Sequence, residues 1–160
     1  MIGISILLPN LNAQKLKKNE IDKFTKEIYM QTSSAKIVNN FGFMRPHKFE
    51  CYIERQGDLI TMPALMQFDM ENVSIDENSG VVFLLDNEST VTLKTAFVGD
   101  PNRFNEFSTS FILNEEDVKS LKEYKVKALR MVYVGGHYDS EVKEKNQDII
   151  SKMLELVTNN

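Results

Sequence analysis

The residues His137 and Asp139 are the pair in this sequence best suited to acid–base chemistry. They lie in the run Gly135-Gly136-His137-Tyr138-Asp139, between an apolar strand-like segment and the last helical pattern of the chain. A loop in that position can present a histidine base and an orienting carboxylate at the mouth of a site. We favour a structural role, with the glycines forming a turn and Asp139 or Ser140 capping a helix. The alternative is a hydrolase-like enzyme in which His137 and Asp139 are the candidate catalytic residues.

The sulfur-containing residues suggest a second kind of chemistry. Met62, Met66 and Met70 recur every fourth residue and would share one face of a strand. Thioether ligands are soft and select Cu(I), but the same spacing is typical of a buried strand face on which methionine fills gaps. We favour the buried face.

The single cysteine, Cys51, lies in an alternating run and is predicted to be a small buried hydrophobe. One cysteine also excludes an intramolecular disulfide framework and a cysteine-only zinc site.

The remaining local motifs favour turns over ligand sites. The run Asp76-Glu77-Asn78-Ser79-Gly80 is one residue short of a calcium-binding loop, and the twelfth position counted from Asp76 is Asn87 where glutamate is required. The chain contains no phosphate-binding loop, dinucleotide fingerprint or zinc-protease helix motif. The sequence therefore predicts neither a metal nor a cofactor, and it favours a protein that is not an enzyme.

The charge balance bears on possible partners. The 160 residues carry 19 Lys and Arg against 23 Asp and Glu, which gives a net charge of -4. A protein that binds nucleic acid through a bulk basic field would have the opposite balance. We expect no nucleic-acid partner, and instead a protein or a small apolar ligand.

The first 14 residues differ in composition from the rest of the chain. They contain no charged side chain, and their apolar run is too short for the about 20 residues that a membrane span needs. The run matches the apolar region of a secretory signal peptide, with Ala13 as the residue at the cut. We expect residues 1–14 to be a signal-peptide remnant, with no stable membrane span, and the protein to be periplasmic or secreted. The alternative is an edge strand ended by Pro9-Asn10 in a cytoplasmic protein.

Residues 15–160 have the pattern of a single domain. β-Branched and aromatic residues dominate several short runs between residues 48 and 113, and Gln56-Gly57-Asp58 is a hairpin turn signal. Asn114 precedes three acidic residues and predicts a helix N-cap. Apolar residues at helical spacing predict a last helix from about Ser140 to Val157. We expect an α+β fold in which an antiparallel meander sheet packs against this C-terminal amphipathic helix.

The overall pattern resembles small exported bacterial proteins of unknown function. The resemblance is carried by Asn12-Ala13-Gln14, the start Asp22-Lys23-Phe24-Thr25, the run Val81–Leu93, and the segment from Asn114 to Val157. It implies an exported domain and no assigned catalytic residue. We therefore expect a non-catalytic binding or protein-interaction module, with the enzyme using His137 and Asp139 as the alternative.

Overall fold

A computed structural model describes residues 14–41, 46–70, 72–102 and 105–159. These residues form mainly antiparallel strands, followed and interrupted by two α-helices, α1 (Glu115–Glu123) and α2 (Ile149–Thr158). The strands, numbered in chain order, are β1 (Leu16–Ile21), β2 (Ile28–Thr32), β3 (Ala35–Phe41), β4 (Pro46–Cys51), β5 (Glu54–Gln56), β6 (Leu59–Gln67), β7 (Gly80–Leu85), β8 (Thr90–Val98), β9 (Glu106–Leu113), β10 (Val126–Tyr133) and β11 (Gly136–Glu141). A short 3₁₀ helix, Glu144–Asn146, precedes α2.

The strands form where alternating residues can bury one face. In β8 the side chains of Val91 and Leu93 are buried, whereas Thr92 and Lys94 are exposed. This alternation is the period-two pattern of a sheet with one solvated face. The turn predicted at Gly57 is confirmed, because β5 and β6 pair across it and Gly57 adopts a φ of +58°, which favours glycine.

The sheet folds back on itself so that its two halves face each other. Its strand order is β1-β2-β5-β6-β9-β8-β7-β10-β11, with β4 also beside β6 and β3 beside β4. The rings of Phe49 on β4 and Phe83 on β7 lie 5.8 Å apart at their centroids, and both residues are fully buried. Because β6 pairs with β9 and β7 with β10, the order in space is not the order in the chain. The predicted antiparallel sheet is thus confirmed, but it is not a simple meander.

The first helix begins as predicted. Asn114 Oδ1 accepts a hydrogen bond from the Asp117 backbone N–H at 2.9 Å, and Asp117 Oδ2 accepts one from the Asn114 N–H at 3.1 Å. This reciprocal capping box satisfies two donors that the first turn would leave unpaired.

The C-terminal helix begins later than predicted. It starts at Ile149, and the expected first turns at Ser140 are part of β11. The backbone after β11 continues to bond to the start of β10, because the Val142 N–H donates to the Lys127 carbonyl at 2.8 Å. Asp139 and Ser140 are therefore strand residues, and the prediction that one of them caps a helix was wrong. The fold is nevertheless α+β, with a mainly antiparallel sheet and a C-terminal helix.

The C-terminal helix is tied to two other elements. Its buried residues are Ile149, Ile150, Met153, Leu154 and Val157. The Val157 carbonyl accepts a hydrogen bond from Arg55 of β5 at 2.9 Å, and Ser151 donates to the Lys122 carbonyl of α1 at 2.9 Å. These contacts fix α2 against α1 and against the half of the sheet that contains β5.

The basic segment 15–23 contains β1, and residues 73–76 are irregular. Of the predicted signal-peptide remnant, residues 1–13 lie outside the described residues. None of the helices in the described ranges has both the length and the apolar character to cross a membrane.

Candidate functional site

The two predicted catalytic residues lie on β11, at one end of the strand order. Gly135, with a φ of +83°, makes the turn that folds β11 back onto β10. His137 and Asp139 are two residues apart, so both project from the outer face of β11. Their side chains are 50% and 55% exposed, so the structure places them together on a solvated surface.

The partner of Asp139 is an arginine. Both carboxylate oxygens of Asp139 accept hydrogen bonds from Arg130 of β10, at 2.6 Å from Nε and 2.7 Å from Nη2. Arg130 holds the pKa of Asp139 below its ordinary value, through these hydrogen bonds and its charge. His137 Nε2 is 3.9 Å from Asp139 Oδ2, beyond hydrogen-bond distance. Within the described residues no hydrogen bond orients His137, and its role as a base stays a prediction.

An apolar groove adjoins this salt bridge on the outer face of the sheet. Its volume is about 440 Å³, and its floor contains Val82 and Leu84 of β7 and Ala128 of β10. Strand register explains the arrangement, because Val82 pairs with Arg130 and Leu84 pairs with Ala128, which places all four side chains on one face. Asp139 and Glu141 of β11 line the side of the groove. The groove thus combines an apolar floor with a charged rim.

The rim is held in place by side-chain contacts between β11 and the strands β3 and β4. We call these contacts, Asn40–Ser140 and His47–Tyr138, the seam. Asn40 of β3 donates a hydrogen bond from Nδ2 to Ser140 Oγ at 2.6 Å, and Ser140 is only 6% exposed. The ring of Tyr138 stacks on that of His47, with centroids 3.6 Å apart and planes inclined by 13°. Among the strands in the described ranges, β3 and β11 share no backbone ladder. Side-chain contacts, and not backbone hydrogen bonds, therefore join β11 to β3 and β4 among the described strands.

His47 takes part in the seam as a neutral ring. Its Nδ1 accepts a hydrogen bond from the backbone N–H of Asp69 at 3.3 Å, which requires an unprotonated nitrogen. Burial lowers the pKa of His47, and the charge of Asp69 partly opposes this shift. The neutral form is thus the one that the folded protein favours.

The sulfur atoms lie mostly inside the core. Cys51, Met62 and Met66 are fully buried, as predicted, and burial raises the pKa of the Cys51 thiol. The prediction was wrong for Met70, because β6 ends at Gln67 and Met70 lies beyond the buried face. Met70 is 38% exposed, and its sulfur accepts a hydrogen bond from the Tyr133 hydroxyl at 3.8 Å. A copper site would need several of these sulfurs at an accessible rim. The described ranges also contain no group of three histidine, cysteine or acidic side chains placed to hold a metal ion.

The run that resembles a calcium loop forms a turn. Asp76 Oδ1 accepts hydrogen bonds from the backbone N–H groups of Asn78 at 2.9 Å and Ser79 at 3.0 Å, and from the Ser79 hydroxyl at 3.0 Å. These bonds lower the pKa of Asp76. The carboxylate stabilises its own loop, as the side chain of an Asx turn does.

Sequence reasoning missed the residues that form the groove. Arg130, Leu84 and Glu141 are far apart in the chain and belong to no motif. The sequence carries one signal for this strand, because the ionisable residues His137, Asp139 and Glu141 alternate with Tyr138 and Ser140. The helical spacing that begins at Val142 competes with this short pattern.

Comparisons with known proteins leave the site to be interpreted from its geometry. The chain matches no protein-family model, no curated protein and no solved structure. No residue role can therefore be carried over from a relative.

Proposed function

We propose that the protein is a non-catalytic binding module that holds a small ligand with an apolar body. The observation that carries this proposal is the groove of about 440 Å³ beside the Arg130–Asp139 salt bridge. Its volume lies within the range of about 300 to 1,000 Å³ that is common for small-molecule sites. An apolar floor supplies affinity, and a few fixed polar groups at the rim supply orientation.

The rim indicates which end groups the ligand would carry. Arg130 is already neutralised by a two-point contact with Asp139 and has no reason to attract a further carboxylate. Glu141 takes part in no ion pair among the described residues. A neutral or cationic hydrogen-bond donor on the ligand would be paired with this carboxylate, whereas an anionic group would be repelled.

A blocking substitution tests whether the groove is the site. Ala128→Trp would fill the space above Leu84, and Ala96→Trp is the matched control because Ala96 is an exposed alanine of β8 outside the groove. The probe is the neutral apolar dye Nile red, titrated by fluorescence into the folded protein and both variants. We expect saturable binding to the wild type and to Ala96→Trp, and at least a tenfold weaker affinity for Ala128→Trp. Equal binding by all three proteins, or binding by none, contradicts the proposal.

The ligand itself can be sought by native mass spectrometry of the protein purified from its own host. A small mass that is released on denaturation, and that Ala128→Trp does not retain, would identify the natural occupant. Co-purification of another protein that survives Ala128→Trp would instead indicate a protein-interaction module acting through another surface.

The alternative function is a hydrolase-like enzyme that uses His137 and Asp139. Its support is their shared face and their 3.9 Å separation, which binding of a substrate could shorten. Hydrolysis of p-nitrophenyl esters is the assay, with His137→Ala and Asp139→Asn as variants. A rate above the buffer blank that both variants lose would favour the enzyme. A rate that neither variant changes would exclude a role for this pair.

We also propose that the protein is exported, to the periplasm or the medium. The support is the uncharged composition of residues 1–14 and the complete burial of Cys51, which would protect its thiol in an oxidising compartment. The intact mass of the protein from its own host tests this. Loss of the first 13 or 14 residues would support export, and a chain that keeps them would favour a cytoplasmic protein.

A further inference from the structure

A second candidate site lies on the other half of the sheet, on the outer face of β4, β6, β9 and β8. Strand register arranges its side chains in rows across the strands. Glu50, Leu65 and Ser108 form one row, since Leu65 pairs with both of the others. Pro63 and Phe97 lie in the next row, because each pairs with Ser110. The neighbours of these residues within each strand, such as Ala64 and Thr109, are buried, so the rows face outward.

A cleft of about 270 Å³ opens in this face. Glu50, Tyr52, Pro63, Leu65 and Ser108 line it, together with Ser34. It is separate from the apolar groove, because the two share no lining residue. The cleft combines apolar ring and branched surfaces with the Glu50 carboxylate and the hydroxyl groups of Ser34, Tyr52 and Ser108.

Aromatic side chains stand at both ends of the Pro63 row. Tyr52 lies beside Pro63, since its backbone N–H donates to the Pro63 carbonyl at 3.1 Å, and Phe97 is 62% exposed at the opposite end. From Tyr52 to Phe97 the row crosses three strand spacings, or about 14 Å at ~4.8 Å each. Only Pro63 and Ser110 project between the two rings in this row. An extended ligand could therefore lie across the strands and contact both rings.

Charges of both signs lie on this face. Lys36 is the cross-strand partner of Glu50, and the Lys48–Glu106 ion pair lies on the same side of β4 as Glu50.

The carboxylates of this face have acceptor positions to spare. Glu50 Oε1 accepts from the Ser34 hydroxyl at 3.0 Å, and Glu54 Oε1 accepts from the Tyr29 hydroxyl at 2.9 Å. Neither carboxylate takes part in an ion pair among the described residues. Each keeps lone pairs for further donors, because a carboxylate has about four acceptor positions. Burial, with the Glu54 contact, raises the pKa of Tyr29 to about 12, so that hydroxyl remains a donor.

We propose that this face binds an uncharged oligosaccharide, with one sugar ring in the cleft and the chain extending towards Phe97. A sugar ring offers apolar C–H faces to Tyr52, Pro63 and Phe97, and a rim of hydroxyl donors to Glu50. The ammonium groups and carboxylates of this face largely offset one another, so it gives little net attraction to a charged glycan. A proline-rich peptide would pack on the rings, but its backbone offers few N–H donors for the carboxylates. The neutral polyol therefore matches both the apolar and the polar half of the face.

Native affinity gel electrophoresis tests the proposal. The full chain migrates through gels that contain soluble starch, xylan, mixed-linkage β-glucan, galactomannan or mannan, and a gel without polysaccharide is the reference. The variants are Phe97→Ala and Glu50→Gln, both on the outer face where folding tolerates the change. Phe24→Ala is the matched control, because Phe24 is 95% exposed and lies in the turn between β1 and β2.

We expect at least one neutral polysaccharide to retard the wild type and Phe24→Ala equally. Phe97→Ala should weaken the apparent affinity about tenfold or less, as loss of one aromatic contact does, and Glu50→Gln should weaken it as well. Retardation that Phe97→Ala and Glu50→Gln leave unchanged would overturn the assignment of this face. The absence of retardation by every polysaccharide of the panel would overturn the proposal itself. Retardation by a charged glycan such as polygalacturonate in place of the neutral ones would overturn the assignment of an uncharged ligand. Because Nile red reports on the other groove, these outcomes are independent of the proposed function.

Discussion

The hydrogen bond between Asn40 and Ser140 should stabilise the seam between the two halves of the sheet by a measurable amount. Asn40→Ala removes the donor that lies 2.6 Å from Ser140 Oγ, and Ser140→Ala removes the acceptor. A net hydrogen bond contributes about 1 kcal/mol, and Ser140 is almost fully buried, so water cannot replace the lost partner freely. Ser140 still donates to the Glu141 carbonyl at 3.2 Å in the Asn40 variant. Asn40→Ala also loses a longer hydrogen bond from Nδ2 to the Tyr138 hydroxyl at 3.5 Å, and the double variant separates that loss from the Ser140 bond.

The measurement is urea unfolding of the wild type, the two single variants and the double variant. We expect a coupling free energy of about 1 kcal/mol between the two positions, which corresponds to a shift of roughly 2–4 °C in Tm for a chain of this size. Asn39→Ala is the control, because Asn39 is the exposed neighbour of Asn40 on the same strand. A coupling energy below about 0.3 kcal/mol, within the scatter of independent sites, would refute the reasoning. The same destabilisation by Asn39→Ala and Asn40→Ala would refute it too.

Three other predictions follow from individual contacts. Cys51 should not react with Ellman's reagent at pH 8 until the protein is unfolded, because its thiol is fully buried and its pKa is raised; rapid reaction of the native protein would contradict this. The free energy of unfolding should fall as the pH drops below about 6.5, because the pKa of His47 is lower in the folded state than in the unfolded state. The unfolded state therefore binds a proton that the folded state does not. Urea unfolding from pH 5 to 8 measures this effect, and His47→Gln should lose this part of the pH dependence. Asn114→Ala should cost about 1 kcal/mol through loss of the helix cap, whereas Asn114→Asp should retain most of the stability because it keeps a capping oxygen; equal losses in the two variants would show that the capping oxygen is not what stabilises the helix start.

The last helix shows why local patterns misplaced one boundary. Apolar residues from Val142 to Val157 have helical spacing, and nothing in that spacing marks where the helix begins. In the folded chain the backbone on both sides of the 3₁₀ helix is hydrogen-bonded to the start of β10. The Val142 N–H donates to the Lys127 carbonyl at 2.8 Å, and the Val126 N–H donates to the Gln147 carbonyl at 2.9 Å. A free strand edge beside the chain can satisfy the same backbone groups that a helix would. Whether such an edge is present depends on how the rest of the sheet assembles.

The candidate sites also combine residues that a local sequence pattern identifies with residues that only strand pairing brings together. The pair His137 and Asp139 could be found from the sequence, because both residues lie within one short run. Arg130, which takes both oxygens of Asp139, could not be found, because it lies on the neighbouring strand and the register that joins them is set by the hairpin. Side chains that meet across a sheet are related by strand pairing, and a one-residue change of register would turn them to the other face.

The sequence alone determined the features that depend on short-range physics. Gly57 identified a hairpin turn and Asn114 identified a helix start, because each rests on the conformational preferences of a few consecutive residues. The tertiary structure alone decided which strands are neighbours and therefore which side chains share a surface. Long-range pairing brings Glu50 and Ser108 to one cleft, and no local preference encodes a contact over that separation in the chain.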